Sequence, residues 1–261
     1  MNVKNWLVAF ALGVTTTSSA IADDRLFSSD RPGKSYSPFT VPTTYFQIET
    51  DTLKYTRQNN VRSLQTLDPT IRYGVTNRLE LNLSLGGWIT QWTRVGRHNA
   101  NNISGYGDTN LAAKFNVIGN DGGKVASAVV VNAKIPTAKK GLGNGQMEYS
   151  LSLPLQYSVT DAFSIGLMPQ AQIQNNALNN GKQMTYSGSV FGNYAITDKL
   201  GVSLEVYQSY STDKYTKSQR SIDPSITYMI TPSLQIDVGA YVGLNKDTPS
   251  MVSYIGISKR F

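Results

Sequence analysis

Residues 234–244 read Leu-Gln-Ile-Asp-Val-Gly-Ala-Tyr-Val-Gly-Leu, and the reading of the whole chain turns on the alternation in them. Leu234, Ile236, Val238, Ala240, Val242 and Leu244 take one parity, and Gln235, Asp237, Gly239, Tyr241 and Gly243 the other. A period of two belongs to an extended strand with unlike faces. A run of this length matches the roughly 9–11 residues that a tilted strand needs to cross a bilayer. The pattern recurs with Leu79, Leu81, Leu83 and Leu85 against Glu80, Asn82, Ser84 and Gly86. It recurs again with Tyr149, Leu151, Leu153, Leu155 and Tyr157 against Ser150, Ser152, Pro154 and Gln156.

Extending the same reading outward predicts strands over 44–56, 63–74, 79–90, 106–118, 124–136, 148–159, 163–174, 184–196, 200–210, 221–230, 234–245 and 251–261. In the first, Phe46 and Ile48 share one parity while Leu53 and Tyr55 take the other, which calls for a bulge between them. Connections alternate in length. Short turns are predicted at 75–78, 119–123, 160–162, 197–199 and 231–233, and longer ones at 57–62, 91–105, 137–147, 175–183, 211–220 and 246–250. That asymmetry, with about twelve strands, predicts an all-β transmembrane antiparallel up-and-down barrel over 44–261, its short turns in the periplasm. The alternative, a soluble sandwich with its apolar face inward, fits poorly with a polar face of Ser, Asn, Gln and Gly that carries few charges.

The turn sequence Tyr73-Gly74-Val75-Thr76-Asn77-Arg78-Leu79 repeats from Tyr157, from Tyr194 and from Tyr228. Thr with Asn or Asp turns the chain through local side-chain bonds. Tyr73, Tyr157, Phe163, Tyr194, Tyr228 and Phe261 fall on the lipid parity as a periplasmic aromatic girdle, and Phe261 ends the terminal strand that barrel-assembly machinery is expected to read.

Upstream, Lys4, the apolar run from Trp6 to Val14 and the small residues ending Ala20-Ile21-Ala22 read as a signal peptide over 1–22, cut between Ala22 and Asp23. The apolar run is too short for a transmembrane anchor, which needs about 20 residues. Export implies the outer membrane of a Gram-negative bacterium. The net charge of +7 then suits anionic lipid and lipopolysaccharide rather than nucleic acid. Basic residues of the long loops, among them Arg57, Arg62, Arg94, Arg97, Lys139 and Lys140, point to the same partner. Cysteine is absent, so there are no disulfides or thiol metal ligands. Negative mean hydropathy excludes a helical membrane protein but not a barrel, which is apolar on one face only.

The inward parity collects Arg72, Glu80, Asp108, Lys114, Lys134, Glu148, Glu205, Asp223 and Asp237. Six acids face three bases, which is either a polar pathway with some cation preference or an interior that satisfies itself. Residues 23–43, with Arg31-Pro32-Gly33, Pro38 and Pro42, form a separate segment that either enters the lumen as a plug or trails in the periplasm. No catalytic, cofactor or metal site is predicted. A barrel lipase would place His and Ser close together on a strand, but the one histidine, His98, has its nearest downstream serine at Ser104.

Taken together, Asp30-Arg31-Pro32-Gly33, Val41-Pro42, Gln47-Ile48-Glu49-Thr50, the run from Arg72 to Leu81, and Gly105-Tyr106-Gly107-Asp108 with Leu111 and Lys114 resemble an outer-membrane family. It is the family named for the meta-pathway of phenol degradation, whose members are often called transporters. The resemblance implies uptake of small, often aromatic or hydrophobic, solutes across the outer membrane. A non-transporting structural or surface-interaction barrel is the second reading, and a lipid hydrolase a minor third.

Overall fold

The computed structural model describes residues 25–96, 98–178 and 180–261. The predicted signal peptide, with Ala22 and Asp23 at its cleavage point, lies outside the described residues, as does Arg97.

Among the described residues fifteen strand segments make the wall: β1 (Phe46–Gln58), β2 (Val61–Gly74), β3 (Leu79–Ser84), β4 (Trp88–Val95), β5 (His98–Tyr106), β6 (Thr109–Ile118), β7 (Val125–Ile135), β8 (Glu148–Ser152), β9 (Leu155–Ser158), β10 (Phe163–Asn175), β11 (Lys182–Ala195), β12 (Leu200–Ser211), β13 (Arg220–Thr231), β14 (Leu234–Gly243) and β15 (Met251–Arg260). Segments β3 with β4, β5 with β6, and β8 with β9 each continue one another across a short interruption, giving twelve staves. All pair antiparallel, and β1 pairs with both β2 and β15, which closes the cylinder. Closure removes the unpaired sheet edge that hydrocarbon would not tolerate.

The two faces are inverted relative to a soluble protein. Leu81, Val190, Leu204 and Ile255 are about half exposed on the outside, while Arg72, Glu80 and Lys114 are fully buried inside. Lipid takes up the apolar face, and the polar side chains have only the lumen left.

The predicted strand irregularity in β1 is present as a register shift between Asp51 and Leu53, at the point where the inward parity changes. Two long loops are shorter than predicted. The segment over 91–105 is mostly strand, because β4 and β5 run on as a hairpin with Val95 opposite His98. The connection after β1 narrows to Asn59 and Asn60, with Asn59 at φ 50, a conformation that asparagine tolerates. Above the bilayer both faces of a strand are wet, so the alternation that marks a membrane strand has no reason to continue there. Pro154 marks another interruption: it brings no N–H to the ladder, yet its carbonyl still accepts from Ala128 N at 3.0 Å.

Candidate functional site

Cross-strand register sorts most of the nine predicted interior charges into clusters. On one side Glu80 of β3 stands opposite Lys114 of β6. Arg72 of β2 grips Glu80 with Nε to Oε1 at 2.8 Å and Nη2 to Oε2 at 2.9 Å, and reaches Glu49 Oε1 of β1 at 2.5 Å. Across the lumen, Glu205 of β12 faces Asp223 of β13. Asp51 of β1 and Asp237 of β14 both stand opposite Gly256 of β15. Nearer the long-loop end, Lys134 lies 2.6 Å from Glu148 and 3.6 Å from Asp108.

Residues 25–43 run inside this wall and bind nearly every cluster. They enter at the short-turn end, where Arg25 Nη1 donates to Asn77 O at 3.3 Å. Farther in, Arg31 lays its guanidinium over Gly256, with Nη2 to Asp237 Oδ1 at 2.7 Å and Nη1 to Asp51 Oδ1 at 2.5 Å. The chain turns at Gly33, whose φ of +105° would strain any other residue and where an added Cβ would come within 3.0 Å of Glu205 Oε2. Beyond the turn, the amides of Lys34 and Ser35 donate to the Glu205 carboxylate at 3.1–3.3 Å. Lys34 Nζ lies 2.5 Å from Asp223 Oδ2 and 3.8 Å above the Tyr241 ring. On the way back Asn116 Nδ2 donates to Pro38 O at 2.9 Å, Val41 N to Glu80 Oε2 at 2.6 Å, and Thr40 N to Asn120 Oδ1 at 3.0 Å. Asp30 joins the first cluster through Lys114 Nζ at 2.6 Å.

Its polar, proline- and glycine-containing sequence forms no strand here. Its backbone groups are satisfied by luminal side chains instead, which is what buried main chain requires. Removing one partner from such a cluster would strand a buried charge, at a cost of about 3–5 kcal/mol.

Two cavities flank the segment. The larger, about 760 Å³, lies toward the short-turn end against β11, β12 and β13 and takes in Phe27, Phe39 and Phe191. The smaller, about 370 Å³, is lined by polar side chains of the opposite wall, including Asp51, Lys54, Asp68 and Asn132. Asp30, Arg31, Gly33 and Tyr36 line both. These four residues of the luminal segment form part of the partition between them.

The aromatic positions predicted for the girdle lie on the outer surface at the short-turn end. Tyr157, Phe163, Tyr194, Tyr228 and Phe261 are exposed, and Tyr73 packs against Phe46 with ring centroids 4.6 Å apart. His98 sits at the tip of the β4–β5 hairpin, and Ser104 Oγ donates to Thr90 Oγ1 at 3.1 Å, so the two do not meet. Among the described residues no group of three or more His, Cys, Asp or Glu is placed to hold a metal. The interior residues missed by the sequence reading are those of the luminal segment, Asp30, Arg31 and Lys34, and the wall residues Glu49, Asp51 and Gly256. Glu49 and Asp51 carry the inward parity of the first half of β1, a signal that the bulge obscured.

A family model described as "Putative MetA-pathway of phenol degradation" matches residues 29–261, a span that begins within the luminal segment. No curated protein matches the chain significantly. Among solved structures, an outer-membrane channel from Pseudomonas putida F1 is 13% identical, with a TM-score of 0.61 over 88% of this chain and 99% of that one. The NanC porin is 10% identical, with a TM-score of 0.57 over 82% and 98%. The KdgM porin, solved in complex with oligogalacturonate, is 13% identical, with a TM-score of 0.52 over 82% and 99%. At these identities the likeness is one of fold.

Proposed function

The chain belongs to the family described as "Putative MetA-pathway of phenol degradation", and on that premise we propose that it is an outer-membrane channel for small organic solutes whose lumen is closed by residues 25–43. One observation carries the reading: the luminal segment has a cavity on either side, and its residues Asp30, Arg31, Gly33 and Tyr36 line both. A purely structural barrel has no need of a cavity on each side of a thin partition. The similar folds of several porins and channels are consistent with this role, and three phenylalanines in the larger cavity favour aromatic or hydrophobic solutes. The mature chain would begin after Ala22, insert through its terminal strand with the help of assembly machinery, and hold lipopolysaccharide against its basic loops.

The test compares the full chain with a variant lacking residues 25–43 in planar bilayers and in liposome swelling. The expected outcome is low conductance for the full chain and a severalfold rise, with faster swelling in small aromatic solutes, for the truncated one. Equal and negligible conductance in both, with both correctly folded, would overturn the channel reading in favour of a structural barrel.

A further inference from the structure

The larger cavity holds an arrangement that a general pathway does not need. Phe191 of β11 stands opposite Glu205 of β12, and Glu205 stands opposite Asp223 of β13, so one aromatic ring and two carboxylates form a row across three neighbouring strands. All three line the cavity and all are buried in the wall. Strands in a sheet lie about 4.8 Å apart, so the row runs about 10 Å from ring to far carboxylate.

The charge of this corner is unbalanced toward the cavity. Lys34 serves both carboxylates, through its backbone amide to Glu205 and its ammonium to Asp223, but it does not line the cavity. The ionic lining comprises four carboxylates, Asp30, Asp121, Glu205 and Asp223, against two guanidiniums, Arg25 and Arg31. Asp223 is 1% exposed, and its Oδ1 is buried without a hydrogen-bond partner while Oδ2 takes Lys34. A buried carboxylate oxygen left unmet costs free energy that a donor arriving from the cavity would recover. Phe191 is held in place on the other side, because its ring occupies the volume a side chain at Gly166 would need.

We propose that this cavity is a binding site for a small aromatic cation, its ring beside Phe191 and its ammonium on Asp223 with Glu205 adjacent. An arylalkylamine has the two features the row separates, an apolar ring and a charged donor a few ångströms away. Benzoate-like anions would meet the carboxylates with like charge. The inference rests on the channel reading for its place in transport, and names the solute class that site would take.

The experiment is isothermal titration of the full chain in detergent with phenethylamine, phenylacetate and butylamine as probes. Phenethylamine is expected to bind at least tenfold more tightly than either of the others, and Asp223→Asn to remove about tenfold of that affinity, the worth of one charge-assisted hydrogen bond. Phe191→Ala should weaken phenethylamine and leave butylamine unchanged. Because Asp223→Asn also loosens Lys34, Lys34→Met supplies an independent check: freeing Asp223 from its internal ammonium should tighten phenethylamine binding. Equal affinity for phenylacetate, or indifference of phenethylamine to both Asp223→Asn and Lys34→Met, would overturn the proposal. Selective binding without conductance in the truncated chain would leave the site standing and sink the channel, and the reverse result would do the opposite.

Discussion

A side chain at position 256 would have to share its space with the Arg31 guanidinium, which lies over the backbone there between the carboxylates of Asp51 and Asp237. Gly256→Val therefore removes no charge and no hydrogen bond of its own, yet leaves Arg31 no seat. It is expected to raise single-channel conductance in the same direction as Arg31→Ala, with the barrel intact by its heat-modifiable migration on gels. A conductance unchanged from the parent would show that Arg31 does not hold the partition. Glu80 is the opposite case. It is fully buried between Arg72 and Lys114 and also accepts from Val41 N, so its loss leaves two buried cations to share Glu49 and Asp30 alone. Glu80→Ala should lower stability by about 3–5 kcal/mol, read as a shift in the urea midpoint of barrel unfolding. The inward charges were legible in the sequence because the bilayer forbids their alternative. The role of Gly256 was not, since a strand glycine carries no mark of what approaches it.

Among the elements, the staves were read where they cross lipid and lost where they leave it. The alternating leucines of β3 set its register, but nothing distinguished 91–95 and 98–105 from a loop, because water on both sides imposes no parity. The sequence left segment 25–43 open between plug and tail for a related reason: its partners are side chains scattered over β1, β2, β3, β6, β12, β13 and β14, and no period records that. Loops are pinned by similar long-range bonds. Asp213, after β12, accepts from Ala177 N at 3.0 Å, Thr216 Oγ1 at 2.9 Å and Tyr215 N at 3.3 Å, joining two outer loops. The Ala177 amide, followed by the other donors, holds its carboxyl below the usual range. A depressed carboxyl stabilises the clasp above the ordinary aspartate value, near 3.9, and the clasp is lost as pH falls through the lower folded value. Hydrogen exchange at the Ala177 amide should accelerate in acid beyond its intrinsic pH dependence. Asp213→Asn should weaken protection at neutral pH and abolish that extra acceleration.

At the scale of the whole barrel, the seam between β1 and β15 is what converts a sheet into a channel wall, and its last pair is Phe261 N to Phe46 O at 2.8 Å with Phe46 N to Phe261 O at 3.4 Å. Deleting Phe261 removes that pair together with an exposed girdle ring. The expected result is a lower yield of heat-modifiable, membrane-inserted protein in cells, with the solute selectivity of whatever assembles unchanged. Normal assembly would show that the seam does not depend on its final residue. The position of the luminal segment has a kinetic side as well. It precedes every strand in sequence, yet Arg31 binds Asp237, 206 residues away, and Lys34 binds Asp223 at a separation of 189. Such distant contacts form late, because the intervening chain must first be ordered. The seat of the segment does not exist until strands from both ends of the chain have met, so its docking would report a finished barrel. Until then it must remain a soluble tether, a state to which its serines, prolines and charges are well suited.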